Sequence, residues 1–332
     1  MSHSTLAILS DIHYASAPEQ ARGNEYEIRG ISNPLLKTFV SSYRYFIWQR
    51  EPLKQNYLLD QFLSQVSADY AVANGDYSCN SGFVGVSDEA ACQSAHECLE
   101  KLRAKFGTKL RATFGDHELG KLSFFGAQGG MRLASWRRAR QELGLEPFWR
   151  MDAGRYVLLG VTSSLIALPV FEPDTLPEER EQWRQLRQEH LSEIKQTFSS
   201  IQRDQTILLF CHDPTALPFL WHEPEIRSKI PLIERTIIGH LHSNLIFWKS
   251  RLLAGMPRIG FLGHTTKRLS AALREARHWK PFKVLLCPAL GGLELTKSAG
   301  YLMADFDLEN GRPARFEYQA LTRKKLRSNP QG

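Results

Sequence analysis

The chain has 332 residues, of which 42% are hydrophobic and 23% are charged, a composition typical of a soluble globular protein that buries a sizeable core. Lys and Arg outnumber Asp and Glu by 42 to 35, and this net charge of +7 favours an anionic substrate or surface without deciding the fold. Because the sequence shows neither a basic leader nor an apolar run of about 20 residues, we expect no signal peptide and no transmembrane helix.

Short apolar runs alternate with longer helical patterns along the chain, and this alternation predicts an α/β protein with one or two central sheets. The predicted strands are Leu6–Leu9, Tyr70–Ala73, Leu110–Phe114, Tyr156–Val161, Thr206–Phe210, Thr236–Ile238, Ile259–Leu262, Val284–Cys287 and Tyr301–Phe306. The predicted helices are Tyr57–Val66, Glu89–Phe106, Leu133–Leu143, Pro177–Phe198 and Lys267–Trp279.

Cysteine usage indicates the redox compartment. The five cysteines are Cys79, Cys92, Cys98, Cys211 and Cys287. Their number is odd and none belongs to a CxxC pair, so they indicate neither a disulfide framework nor a zinc knuckle. We therefore expect a cytoplasmic protein, either free or peripheral to the inner face of the membrane.

Acidic and imidazole side chains follow directly after five of the predicted strands. In chain order they are Asp11 and His13, then Asp76, then Asp116 and His117, then His212, and finally His240 and His242. Taken singly, each of these motifs is more often an ordinary turn than a ligand site. Because ligands of open α/β sheets collect beyond the carboxyl ends of the strands, we expect the five loops to converge on one crevice.

The residue types in these loops favour metal chemistry. Carboxylate oxygen and imidazole nitrogen bind Mn, Fe, Zn and similar ions, whereas a calcium site would contain oxygen ligands only. Two such ions about 3.5–4 Å apart, bridged by one carboxylate and one water, generate a hydroxide at neutral pH and clamp a phosphate for in-line attack.

The complete motif set resembles that of a known family. The motifs are Asp11-x-His13, Gly75-Asp76, Gly115-Asp116-His117-Glu118, His212 and Gly239-His240-x-His242. In order and composition they resemble the calcineurin-like metallophosphoesterases, whose pattern is Asp-x-His, Gly-Asp, Gly-Asn-His-Asp/Glu, His and Gly-His-x-His. The resemblance implies a four-layer α/β/β/α sandwich of two mixed sheets, formed by one domain over residues 1–320.

The resemblance also implies a role for each motif position. Asp11, His13 and His242 would hold a first metal ion, Asp76 would bridge the two ions, and Asp116, His212 and His240 would complete the second site. The implied cofactors are two divalent ions, Mn, Fe or Zn. A metal-bridging hydroxide would attack a phosphoester or pyrophosphate bond. His117 would protonate the leaving oxygen as general acid, with Glu118 or another acceptor orienting its ring.

Position 116 departs from the family pattern, because Asp116 stands where the family has a neutral Asn. An additional anionic ligand makes the two-metal centre one charge less positive. It should hold the second ion more firmly while raising the pKa of the attacking water. A trivalent iron in one site would restore the charge, so metal identity stays open.

An insertion separates the first two motifs, since 64 residues lie between Asp11 and Asp76. It is expected at about residues 30–56. Within it, one helix face is predicted to carry Leu36, Phe39, Val40, Tyr43 and Ile47. Either this helix packs on its own domain, or residues 35–50 contact a membrane surface or the acyl chain of a lipid substrate.

Further substrate contacts are expected from basic residues beyond the motifs. Lys121 and Arg132 follow the third motif, and His264 follows a predicted strand, so all three are candidates for phosphate contact; solvated surface positions are the alternative. The segment 321–332 is expected to be a disordered basic tail. Because the glycine-rich pieces match no phosphate-binding loop or dinucleotide fingerprint, no nucleotide cofactor is expected.

The substrate class stays open at this level, because the fold that the motifs imply serves many phosphate esters. The expected partner is a small anionic phosphorylated molecule. Two alternatives use the same site: a nuclease, which the absence of a regular basic strip disfavours, and a lipid-linked UDP-sugar pyrophosphatase. A third alternative is a non-catalytic binding module on this fold. The sequence does not determine the oligomeric state.

Overall fold

The structure, a computed structural model, describes residues 3–28, 31, 33–48, 51–79, 83–120, 129–242, 275–296, 298–309 and 312–323. The strands are β1 (His3–Leu9), β2 (Tyr70–Ala73), β3 (Leu110–Ala112), β4 (Phe148–Ala153), β5 (Tyr156–Val161), β6 (Thr206–Cys211), β7 (Ile233–Ile238), β8 (Val284–Leu286), β9 (Gly300–Asp307) and β10 (Arg315–Ala320). The α-helices are α1 (Ala17–Arg22), α2 (Pro34–Phe46), α3 (Asn56–Gln65), α4 (Glu89–Phe106), α5 (Asp116–Leu119), α6 (Leu133–Gln141), α7 (Ser163–Ile166), α8 (Leu168–Phe171), α9 (Arg180–Ser200), α10 (Leu217–His222) and α11 (Pro224–Lys229). Short 3-10 helices cover Tyr26–Ile28, Pro52–Lys54, Gly85–Ser87, Gly107–Lys109, Glu172–Asp174, Pro177–Glu179, Pro214–Ala216, Ile230–Leu232 and Ala276–Trp279.

Two five-stranded mixed sheets form the centre of the described chain. The first has the order β10-β9-β1-β2-β3 and the second the order β4-β5-β6-β7-β8. Strands β1, β2 and β3 are parallel to one another, as are β5 to β8. The remaining strands, β9, β10 and β4, pair antiparallel to their neighbours.

The alternation of side chains along the central strands builds a core on both faces of each sheet. On β1, Leu6 and Ile8 point into a core shared with Leu208 and Phe210 of β6, so the two sheets pack face to face. Ala7 and Leu9, which alternate with them along β1, lie in a different core, formed with helices. Because every residue from Leu6 to Leu9 is fully buried, β1 reads as a continuous apolar run in the sequence.

Helices cover the outer face of each sheet. On the first sheet, Phe62 of α3 and Leu99 of α4 lie in the core that includes Leu9. On the second sheet, Ile194 and Phe198 of α9 pack against the far side of the strands. The order helix, sheet, sheet, helix confirms the predicted four-layer α/β/β/α sandwich. Within the described residues, no helix is both long enough and apolar enough to span a lipid bilayer.

Two strands were absent from the sequence-based expectation, β4 and β10, and both lie at sheet edges. Charged residues occupy exposed positions in both strands: Arg150 and Asp152 in β4, and Arg315 and Glu317 in β10. Edge strands tolerate such charges because one side of the strand is unpaired. They therefore lack the apolar run by which the central strands were found. The predicted strand Ile259–Leu262, the first eight residues of the predicted helix Lys267–Trp279, and residues 324–332 of the predicted tail lie outside the described residues.

Candidate metal centre

The carboxyl ends of strands from both sheets meet at Asn74, directly after β2. Its carbonyl oxygen accepts hydrogen bonds from Ser10 Oγ at 3.1 Å and from His212 Nδ1 at 2.6 Å. Ser10 follows β1 in the first sheet, whereas His212 follows β6 in the second. A buried main-chain oxygen thus joins the two sheets where the predicted ligand loops converge.

All seven predicted ligand positions lie together in two clusters that share Asp76. The first cluster contains Asp11, His13, Asp76 and His242, and the second contains Asp76, Asp116, His212 and His240. Within each cluster, one donor atom from every residue lies within 4.8 Å of the others. All but His240 are buried, and a third of the His240 side chain is exposed. The second cluster is therefore the more open of the two.

Main-chain carbonyls fix the orientation of two imidazoles in these clusters. His13 Nδ1 lies 3.2 Å from the Ser78 carbonyl oxygen, and His212 Nδ1 lies 2.6 Å from that of Asn74. Because a carbonyl can only accept, the Nδ1 atoms carry a proton and the Nε2 atoms face the clusters. Among the described residues, the buried His13 Nε2 has no hydrogen-bond partner, which is the arrangement a metal ligand requires.

Backbone strain is concentrated at the same positions. Five non-glycine residues of the clusters have left-handed φ angles: Asp11 at 50°, His13 at 51°, Asp76 at 60°, His240 at 60° and His242 at 54°. In the described chain only Lys283, at 50°, shares this conformation among non-glycine residues. Such residues cost about 1–3 kcal/mol each and persist where the surrounding structure holds them for a function. The strain turns these side chains inward immediately after β1, β2 and β7.

Glycines at two motif positions permit this close approach. Gly75 has a φ of 89°, and a Cβ there would lie 2.7 Å from the Gly115 main chain and 2.8 Å from His212 Nδ1. At Gly239, a Cβ would lie 2.7 Å from Asp11 Oδ2. Any larger residue at either position would push the strand ends apart. The glycines of the Gly-Asp and Gly-His-x-His motifs thus have a steric explanation in this chain.

Charges in the two clusters are balanced by contacts between acids and imidazoles. His212 Nε2 lies 3.2 Å from Asp76 Oδ2 and 3.3 Å from Asp116 Oδ1. Burial alone would lower the pKa of His212, but Asp76 and Asp116 raise it well above its ordinary value. Burial would also lower the pKa of His240, but the charges of Asp116 and Asp213 raise it to about 9. A cation that binds the clusters must displace these protons, as metal ions do at imidazole sites.

Burial raises the pKa of the Asp11 carboxyl, an effect that the nearby His212 partly offsets. The same burial would raise the pKa of Asp76, but His117 and His212 lower it below the ordinary value. Asp76, which belongs to both clusters, therefore keeps its negative charge more readily than Asp11 does. That is the property expected of a bridging ligand.

His117 lies beside the clusters and belongs to neither. Its Nδ1 donates to the Ser78 carbonyl at 3.0 Å, and its Nε2 lies 3.8 Å from Asp76 Oδ2. The acceptor that orients the ring is thus the Ser78 carbonyl, the second of the two options left open by the sequence, and not Glu118. Since Ser78 also accepts from His13, one carbonyl positions both a cluster imidazole and His117.

Glu118 has a structural task instead. Its carboxylate is fully buried and accepts the main-chain N–H groups of Gly115, Asp76 and Tyr77 at 2.7, 3.1 and 2.9 Å. Burial and the charge of Asp76 raise the pKa of Glu118 to about 8, while the N–H groups of Tyr77 and Gly115 favour its ionised form. Glu118 therefore ties the Gly75-Asp76 turn to the turn that carries Asp116.

Of the three candidate substrate contacts, only Arg132 lies within the described residues. Lys121 and His264 lie outside the described residues. Arg132 donates to the carbonyl oxygens of Gly129 at 2.8 Å and Met131 at 3.0 Å, so it supports the entry into α6. Its contact with a substrate stays a prediction.

Sequence reasoning missed one aromatic residue at the edge of the first cluster. The ring of Trp48 lies 4.7 Å from that of His242, centroid to centroid. Trp48 lies within the expected insertion, but 194 positions separate it from His242 and no local motif joins them. The missed carbonyls of Asn74 and Ser78 carry no side-chain signal at all.

No protein-family model matches this sequence, and no curated protein is significantly similar to it. Similar solved structures include a phosphopantetheinyl hydrolase from Mycobacterium tuberculosis, with 14% identity, TM-score 0.34, and coverage of 72% of this chain and 83% of that one. A purple acid phosphatase from yellow lupin has 12% identity, TM-score 0.43, and coverage of 96% of this chain and 52% of that one. A predicted phosphoesterase from Streptococcus pneumoniae has 9% identity, TM-score 0.27, and coverage of 96% and 99%. The two five-stranded sheets of this chain agree with the α/β/β/α fold that the motif set implies.

Proposed function

We propose that this chain is a binuclear metal-dependent hydrolase of a phosphoester or pyrophosphate bond. The observation that carries the proposal is the pair of Asp/His clusters sharing Asp76. Each cluster offers two carboxylates and two imidazoles, a donor set that suits Mn, Fe or Zn. An accidental gathering of acids and imidazoles would not explain why five of the seven residues have left-handed backbones.

The residues present fit a pair of ions in three respects. The Ser78 carbonyl holds the proton of His13 at Nδ1, so the lone pair of the buried Nε2 can bind a metal ion. Among the described residues, this Nε2 has no hydrogen-bond partner. His212 is oriented in the same way by Asn74. Asp76 lies between both groups and keeps its charge. When bound, the ions would supply Lewis-acid charge to the phosphoryl oxygens and acidify the attacking water.

His117 is the residue proposed to move a proton. With Nδ1–H held by the Ser78 carbonyl, its Nε2 is the atom that can deliver a proton to the leaving oxygen. This Nε2 lies 3.8 Å from the Asp76 carboxylate, at the border of both clusters. Burial of His117 keeps bulk water away from this step.

The test uses the purified chain and three soluble substrates. Bound metals are quantified, and hydrolysis of an aryl phosphate monoester, an aryl phosphate diester and an aryl-substituted pyrophosphate is measured with added Mn. We expect about two ions per chain and turnover of at least one substrate. A chain with two ions that hydrolyses none of the three would overturn the proposal and favour a non-catalytic binding module.

A further inference from the structure

Helix α2 presents an apolar face to solvent. This face, called the α2 apolar face, consists of Leu35, Phe39, Tyr43, Tyr45 and Phe46. Leu35 is 81% exposed, and Phe39 and Phe46 are each 66% exposed. Among the described residues, only Leu295 and Tyr318 are comparable exposed large hydrophobics elsewhere. Patches of this kind mark interaction sites on soluble proteins.

The exposure does not come from a poorly anchored helix. Asn33 caps the N-terminus by accepting the main-chain N–H groups of Leu35 and Leu36. On the inner side, Leu36 and Val40 pack against Ile28 and Ile31. The helix is thus held to its own domain by one apolar side and shows a second one to solvent. The two readings of the insertion left open by the sequence describe opposite faces of the same helix.

The exposed side of α2 carries no charge. Its exposed positions are Pro34, Leu35, Thr38, Phe39, Ser42, Tyr43, Tyr45 and Phe46. The two basic residues of the helix lie outside this set: Arg44 is half-buried, and Lys37, whose side chain is 40% exposed, pairs with Glu25 at 3.2 Å. A helix that faces water would place its charges on the exposed side. Phenylalanine and leucine flanked by tyrosines is the pattern typical of the boundary between lipid headgroups and hydrocarbon.

The α2 apolar face leads to the metal centre. Beyond the helix, the carbonyl oxygens of Ile47 and Trp48 accept the N–H groups of Leu295 at 3.2 Å and Glu294 at 2.8 Å. Leu295, which is 55% exposed, extends the apolar surface at this point. Trp48 in turn contacts His242 of the first cluster. The ring of Tyr43, on the α2 apolar face, stacks on that of Trp48 at 6.4 Å, centroid to centroid, so aromatic rings connect this face to the edge of the site proposed to bind phosphate.

We propose that the α2 apolar face inserts into the headgroup boundary of a lipid bilayer with anionic headgroups, and that the substrate is a phosphorylated amphiphile drawn from that layer. The part about the substrate rests on the proposed function. The net charge of +7 complements an anionic surface. The uncharged face enters the boundary without desolvating a charge, and Trp48 places the substrate's apolar end beside the first cluster.

The test is flotation of the metal-loaded full chain with vesicles of phosphatidylcholine and phosphatidylglycerol in equal amounts, at low and at high salt. The test variant is Phe39→Ser/Phe46→Ser, which removes two exposed rings and leaves the packed side of α2 intact. The matched control is Tyr318→Ser, which removes an exposed ring from edge strand β10. We expect wild type and Tyr318→Ser to bind at both salt concentrations, and the double variant to bind at least about tenfold more weakly. Metal content and thermal unfolding verify that the variants are folded.

Three outcomes would overturn the inference. The first is that wild type fails to float, and the second is that the double variant floats as well as wild type. The third is that binding vanishes at high salt, which would make it electrostatic only. A concentration-dependent dimer in light scattering, abolished in the double variant, would show instead that a second copy covers the face. Aryl ester hydrolysis by wild type without vesicles reports on the proposed function alone, so each proposal can fail separately.

Discussion

Two buried histidines in this chain have opposite surroundings. His190, on α9, is 3% exposed, and burial lowers its pKa to about 3. Its Nε2 accepts the N–H of Thr162 at 3.2 Å, a bond that only the neutral ring can make. His212, after β6, is fully buried as well, yet Asp76 and Asp116 raise its pKa well above the ordinary value against the effect of burial.

The difference shows that the acids, and not burial, decide what a buried imidazole can do here. Without a carboxylate, His190 is a neutral ring that packs beside Phe148 and serves the core. With two carboxylates, His212 belongs to a charged group that a metal ion can enter in exchange for protons. The functional region of the molecule is therefore defined by where Asp residues reach buried histidines. Removing acids or histidines from either region therefore tests this difference.

The largest effect is expected from Asp76→Asn, which removes the carboxylate that both clusters share. Asparagine keeps the Oδ1 that accepts the His117 N–H at 3.0 Å, but it removes the charge that faces His212. Both clusters lose a carboxylate, so metal content should fall below two ions per chain and aryl ester hydrolysis should fall to background. Metal analysis and the hydrolysis assay measure both. Asp60→Asn, an exposed acid on α3, is the control; an Asp76→Asn chain that stays fully active would refute the bridging role.

The next largest effect is expected from His117→Gln, which changes an imidazole beside the clusters and leaves every cluster residue in place. Both ions should remain, while turnover falls about 10²- to 10⁴-fold. The loss should be larger for an alkyl phosphate than for a nitrophenyl phosphate, because a good leaving group departs without a proton. Steady-state kinetics with both esters measure this ratio, and His96→Gln on α4 is the control. Equal losses for the two esters would exclude the role of general acid.

A smaller effect concerns the other region. Because burial lowers the pKa of His190 to about 3, the unfolded chain takes up a proton as the pH falls below about 6.5, whereas the folded chain does not. Stability is full above that pH and is lost progressively between 6.5 and 3, by about 2 kcal/mol at pH 5. Urea unfolding at pH 7.5 and 5 should show this loss in wild type and a correspondingly smaller loss in His190→Gln. Parallel pH dependences in the two proteins would show that His190 does not titrate as proposed.

Much of the fold could be predicted from the sequence, because the central strands are buried on both sides. Tyr70–Ala73 and Tyr156–Val161 were located to the residue, since such strands are uninterrupted apolar runs. The convergence of the loops could be predicted because their acids and histidines follow strand ends, and the resemblance of the motif set implied which seven would be ligands. Strands β4 and β10 were missed because they lie at sheet edges and carry exposed charges in place of an apolar run.

The features that were not predicted depend on atoms or contacts without a sequence signature. The acceptors that orient His13, His117 and His212 are main-chain carbonyls, which every residue type possesses. The expected helix face, from Leu36 to Ile47, mixed buried and exposed positions: Val40 packs inward and Phe39 points to solvent. Periodicity identifies an amphipathic helix, but a helix that is apolar on two sides does not reveal which side meets its own domain.

The smallest effect is expected from Asp116→Asn, which weakens the acid environment of the second cluster by one charge. Asp116 Oδ1 lies 3.1 Å from His240 Nδ1 and 3.3 Å from His212 Nε2, and an amide oxygen can take the same place. The centre becomes one charge more positive, so the attacking water should lose its proton more easily and the acid limb of the rate profile should move to lower pH by about one unit or less. The kcat–pH profile and metal content are measured together.

Asp213→Asn is the control, since it removes a charge that also raises the pKa of His240 while an Asn still caps the Pro214–Ala216 turn. Because Asp213 belongs to neither cluster, its loss should move the limb less. An Asp116→Asn chain with both ions and no activity would show that the carboxylate is required for more than its charge.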